Sequence, residues 1–146
     1  MPASEFLLSR VFDAPRSLVF EAWSKPEHLV HWWGRKLFTA LECEVDFRRG
    51  GVWRICMRPP AGKDFWVTGT YLEITVPERI VFVCKLENEV RNHEAVFTVV
   101  LIEQEGKTLL TLHSKLMDLA KARDGAESGW SEAMDSLDAY LAGCQG

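Results

Sequence analysis

The sequence has no excess of positive charge: 17 Lys and Arg stand against 21 Asp and Glu, giving a net charge of -4 and a pI near 5.6. No field of this kind gathers phosphate backbones, so nucleic acid is not an expected partner. Long hydrophobic runs are missing too. The longest, Ile80-Val81-Phe82-Val83-Cys84, has the length of one strand and cannot span a bilayer. Met1-Pro-Ala-Ser-Glu5 has neither the basic flank nor the apolar core of a secretion signal, so the expected location is cytoplasmic, with no membrane insertion. Cysteine is sparse. The four cysteines, at 43, 56, 84 and 144, form no Cys-x-x-Cys pair and no Cys/His cluster at zinc spacing. Cys43, Cys56 and Cys84 read as small strand hydrophobes, and Cys144 as an exposed residue near the end. A glycine-rich phosphate loop, a serine nucleophile elbow and a paired-carboxylate motif are also lacking, so no metal and no other cofactor is expected.

What is present is an ordinary globular mixture, 47% apolar and 26% charged over 146 residues, which predicts one domain over residues 1–146. Residues 5–12 read as a first strand. Asp13-Ala-Pro-Arg16 then reads as a capped helix start, followed by Leu18, Val19, Ala22 and Trp23 at helical spacing. Ser24-Lys-Pro-Glu27 has the form of a capping box for a second short helix, with Gly34 as its stop.

From about residue 37 the period becomes two. Leu41, Cys43, Val45, Trp53, Ile55 and Met57 are expected inside, with Arg48-Arg49-Gly50 as a bulged hairpin loop that pairs Val45 with Trp53 and Glu44 with Arg54. Further strands are expected at 64–75, 79–86, 94–103 and 107–114, separated by turns at 59–62, 76–78, 87–89 and 103–106. Trp130, Met134, Leu137 and Leu141, spaced four, three and four apart, give a long amphipathic closing helix. The predicted class is α+β: a curved antiparallel sheet of about seven strands, two short helices and a long C-terminal helix over the concave face.

Four segments together resemble a known group: Arg10-Val-Phe-Asp-Ala-Pro-Arg-Ser-Leu-Val-Phe-Glu-Ala-Trp23, Pro26-Glu-His-Leu-Val-His-Trp-Trp-Gly34, Asp46-Phe-Arg-Arg-Gly-Gly-Val-Trp-Arg54 and Gly129-Trp130. They are similar to the START-related SRPBCC superfamily, and within it to small bacterial homologues of the C-terminal domain of the heat-shock protein 90 ATPase activator. The resemblance implies a helix-grip fold with a deep cavity, whose members include lipid carriers, polyketide cyclases and chaperone regulators. One fold with so many roles leaves the function to be argued from the site.

The leading expectation is a cavity between the sheet and the closing helix that takes a small hydrophobic or aromatic molecule. Its expected lining is Trp33, Trp53, Ile55, Met57, Phe82, Phe97, Leu110, Leu112, Trp130, Met134 and Leu137. Gly69 is expected to face Trp53 across the sheet and leave room for its indole. A cyclase-like enzyme is the alternative. It requires an inward titratable group, for which Glu73 and His113 are the candidates, although the ordinary reading turns both outward. The third reading, by resemblance alone, is a module that stimulates a chaperone ATPase. Exposed sheet surface is a further candidate interface, for a homodimer. His28 and His31 lack a third ligand at metal spacing, and the Arg48, Arg49, Arg54 and Arg58 group reads as a solvated face beside Glu42, Glu44 and Asp46.

Overall fold

Alternation of apolar and polar residues sets the molecule's main layer, a seven-stranded antiparallel sheet. The computed structural model describes residues 5–34, 36–87, 94–116 and 120–145, without the side chains of residues 86, 116, 120–126, 144 and 145. The Cys144 side chain and Asn88-Glu89 of the expected turn lie outside the described residues. The strands are β1 (Glu5–Phe12), β2 (Thr39–Val45), β3 (Val52–Arg58), β4 (Phe65–Thr75), β5 (Arg79–Leu86), β6 (Ala95–Gln104) and β7 (Lys107–Leu116). The helices are α1 (Arg16–Ser24), α2 (Pro26–Trp32) and α3 (Ala120–Gln145). The sheet order β1-β7-β6-β5-β4-β3-β2 makes β2 to β7 a meander, with β1 added beside β7. This is the expected helix-grip arrangement.

The first hairpin has the expected register, Val45 opposite Trp53 and Glu44 opposite Arg54, with Gly50 at φ +83° in its loop. One expected inner residue is corrected. A bulge between Ala40 and Glu42 puts Ala40 opposite Met57 and turns Leu41 outward, where it is 39% exposed. The turn between β6 and β7 is also built by its residues. Glu105 and Gly106, at φ +52° and +82°, join Gln104 to its cross-strand partner Lys107, the two positive φ angles of a two-residue hairpin turn.

Neither side-chain cap expected for the short helices forms. α1 starts after Pro15, whose carbonyl accepts the Leu18 and Val19 N–H groups, and no side chain caps it. The Ala14 carbonyl is instead taken by the buried Thr108 hydroxyl of β7 at 2.7 Å. Ser24 belongs to α1 itself and bonds back to the Glu21 carbonyl, so Lys25 is left as the one residue between helices, and Pro26 opens α2 with its preset φ. Trp32 then donates its indole N–H to the Ala22 carbonyl at 3.0 Å, satisfying one of the open carbonyls at the end of α1. Trp33 caps α2 in an extended conformation, and Gly34 follows at φ +91°.

α3 packs on β1 and β7, and α1 on β6 and β7. Phe6, Phe12, Phe97, Leu101, Leu110 and Leu112 of these strands and Met134 and Leu137 of α3 are all buried. Arg10 Nη1 and Lys36 Nζ reach Asp135 of α3 at 2.7 and 3.2 Å, and the Lys36 N–H reaches Glu132 at 3.0 Å, tying the closing helix to β1 and to the loop after α2. The hydrogen bond from Arg10, then the one from Lys36, holds the Asp135 carboxyl below its ordinary range. A carboxylate depressed in this way contributes stability above its unfolded pKa of about 3.9, and that contribution is lost as pH falls through the folded value. Asp135→Asn is therefore expected to lower Tm by about 1–2 °C at neutral pH, as suits a pair open to solvent, and by nothing below the folded pKa. Thermal melts of both proteins across the acid range check this.

Candidate functional site

Aromatic residues fill the space where α1, α2 and α3 converge over the sheet. Trp130 of α3 stacks on Trp23 of α1 at 5.9 Å with planes 6° apart, and it meets Trp33 at 4.8 Å and Phe97 at 5.0 Å. Trp33 in turn stands edge-on to Trp53 of β3 at 5.2 Å. A small void remains beside this cluster. It is lined by Trp23, Leu29, Trp33, Trp53, Ile55, Tyr71, Ile80 and Phe82, and its volume is about 10 Å³. That is room for about one water molecule.

The void lies between the two short helices and strands β3 to β5, and Trp130 packs beside it against Trp23, Trp33 and Phe97. Of the expected lining, Trp33, Trp53, Ile55 and Phe82 border the void. Met57, Phe97, Leu110, Leu112, Met134 and Leu137 are packed into the core at 2% exposure or less, while Trp130 is partly buried and packs against it.

Trp23, Leu29, Tyr71 and Ile80 border the void without having been singled out. Ile80 could have been found from its place in the 80–84 run, had the run's inner face been known. Trp23 stood in plain view as a residue of the buried face of α1. Tyr71 depended on a bulge: Tyr71 pairs with Phe82 and Glu73 with Val81, so Tyr71 points in, Leu72 is exposed and Glu73 points out.

Glu73 is paired with Arg79 at 2.7 Å on the outer face. His113, opposite Leu7 and Thr98, also faces outward, with its Nε2 3.3 Å from a Glu5 carboxylate oxygen. Neither catalytic candidate reaches the void. Burial pushes the inward Cys43 thiol up to about 11 and Cys84 up to about 12, and it raises the Tyr71 phenol above its usual range. These groups are therefore protonated at neutral pH, and neither cysteine is a ready thiolate nucleophile. Among the described residues no cluster of His, Cys, Asp and Glu has the makings of a metal site.

The arginine group on the outer face has acidic neighbours, as expected. Arg48 pairs with Asp46, Arg58 with Asp64, and Arg54 with Glu87 and Glu44 while its guanidinium lies 3.9 Å over the Trp66 ring. Leu7, Val11 and Ile102 are exposed on that face.

Two residues of the void's wall carry an unpaired polar atom. The indole N–H groups of Trp23 and Trp53 are buried and meet no acceptor, unlike that of Trp32. A buried donor left unpaired costs about 1–3 kcal/mol. Ser114 Oγ is likewise buried and unpaired, on the part of the sheet that faces α3. Trp53 owes its position to Gly69, directly opposite on β4, where an added Cβ would lie 2.7 Å from the indole nitrogen. This is the pairing expected from sequence.

Comparison with known proteins places this architecture. No curated protein matches the chain. A solution structure of an Arthrobacter aurescens protein has 27% identity and a TM-score of 0.86, covering 96% of this chain and 87% of that one. A crystal structure of a Chromobacterium violaceum protein has 23% identity and a TM-score of 0.85, over 96% and 98% of the two chains. The AHSA1 protein of Silicibacter pomeroyi has 23% identity and a TM-score of 0.83, over 94% and 97%. The two latter likenesses show the shared fold alone. The model of one family, described as activator of Hsp90 ATPase homolog 1-like protein, matches residues 13–142, and with that match the chain belongs to this family of SRPBCC type.

Proposed function

We propose that this protein is a cytoplasmic carrier or sensor that binds a small hydrophobic or aromatic molecule between the two short helices and strands β3 to β5. The observation that carries the proposal is the void's wall, where five of eight lining residues are aromatic and none bears a charge. At about 10 Å³ the void admits a ligand only if a wall moves. Trp33 is the wall best placed to do so. It is partly buried, it follows the last residue of α2, and it precedes Gly34 at φ +91°.

Burying an aromatic ligand of about 150–250 Å² at about 25 cal/mol per Å² contributes about 4–6 kcal/mol. Association costs and the displacement of Trp33 reduce this, so dissociation constants of about a millimolar or weaker are expected for the wild type.

The test is a panel of neutral mono- and bicyclic aromatic compounds, followed by tryptophan fluorescence and Tm. Several members should quench fluorescence and raise Tm in the wild type, and equally in Glu73→Gln and His113→Asn, whose side chains lie on the outer face. A panel without any response would refute the binding role, and loss of response in either variant would restore the cyclase-like reading. The family's name supplies a second reading, stimulation of the Hsp90 ATPase, favoured by the match over residues 13–142. An unchanged ATPase rate on adding this protein would exclude it.

A further inference from the structure

Granted the binding role proposed above, we infer that the ligand is neutral and planar and carries a hydrogen-bond acceptor, such as a ketone or ether oxygen, set against the indole N–H groups of Trp53 and Trp23. Both side chains are 3% exposed, both border the void, and neither nitrogen meets an acceptor. Elsewhere the same chain does satisfy a buried indole: Trp32, 1% exposed, donates to the Ala22 carbonyl at 3.0 Å. The two unpaired indole donors therefore both belong to residues of the void's wall.

The Trp53 ring is also fixed in place. Gly69 lies under its Nε1 edge, while Trp33 and Phe82 stand edge-on at 5.2 and 5.9 Å. An acceptor that reached this donor would meet it in a prepared position, in a site where water is scarce. The rest of the lining narrows the chemistry further. Leu29, Ile55, Ile80 and Phe82 offer only carbon, Trp33 and Tyr71 each carry one neutral polar group, and no Lys, Arg or His borders the void. A carboxylate would lose its hydration there without a cation to replace it, so a neutral acceptor is selected over a charged one.

The test compares indane, 1-indanone and indane-1-carboxylate, which share a bicyclic frame and differ in one group, using titration calorimetry on the wild type, Trp53→Phe and Trp23→Phe. The wild type is expected to bind 1-indanone about fivefold more tightly than indane, and the carboxylate at least about tenfold more weakly than the ketone. In at least one Phe variant the ketone's advantage should fall to about twofold or less while indane still binds. Indole N–H signals of the wild type, read by ¹H–¹⁵N NMR, give a second measurement that needs no variant. The ketone should move the Trp53 or Trp23 signal downfield relative to indane. Equal binding of indane and 1-indanone, or an advantage that survives in both variants, overturns the inference and leaves the binding role standing. If none of the three binds, the inference fails as well, and the aromatic panel decides the binding role.

Discussion

Gly69→Ala is expected to destabilise the protein by at least about 3 kcal/mol, the upper end of ordinary overpacking, or to prevent folding. A Cβ at this position would lie 1.7 Å from the Val83 carbonyl oxygen and within 2.8 Å of two atoms of the Trp53 indole. The indole can shift, but the carbonyl belongs to the backbone of β5, so relief requires β4 and β5 to separate. Gly50→Ala provides the contrast. Gly50 has φ +83° and nothing within 4 Å of an added Cβ, so only the left-handed backbone is penalised, by about 1–2 kcal/mol. Denaturant unfolding of the two variants checks the difference. A Gly69→Ala protein as stable as Gly50→Ala would show that the indole is not seated against that strand.

Trp33→Ala should produce the second-largest effect, in two opposite directions. Truncating a partly buried indole in contact with Trp53 and Trp130 is expected to cost about 2–4 kcal/mol, below the range for fully buried aromatic residues. It also joins the vacated indole volume to the existing void, so a bicyclic hydrocarbon can enter without displacing a side chain. Indane should therefore bind the variant at least about tenfold more tightly than the wild type, and at about 100 times its dissociation constant it should restore about 2.7 kcal/mol. Melts with and without indane measure both effects. A variant that is destabilised but gains nothing from indane beyond the wild-type gain would show that Trp33 is packing and not a wall.

Much of the fold was legible because strand period and turn chemistry act locally. Val45 and Trp53 pair because Arg48-Arg49-Gly50 sets the loop, and Gly69 faces Trp53 because the next hairpin continues that register. The buried face of α3 followed from the spacing of Met134, Leu137 and Leu141. The site was less legible. Bulges at Ala40/Glu42 and Tyr71/Glu73 reverse the facing of single residues, and no residue type in either segment announces them. The 80–84 run hides its alternation, since Val81 and Val83 on the outer face are as apolar as Ile80 and Phe82 on the inner. Where the space remains is a matter of volume and rotamers rather than pattern. Trp130 could wall a cavity or fill one, and pattern alone does not foretell its contacts with Trp23, Trp33 and Phe97.

The most direct measurement is a crystal structure of the protein grown with 1-indanone. Ring density bordered by Trp23, Trp53, Tyr71 and Phe82, with the Trp33 side chain moved from its place beside Trp53, is the expected result. An unmoved Trp33 over the same small void, with the compound absent or lying on the outer face of the sheet, would contradict it.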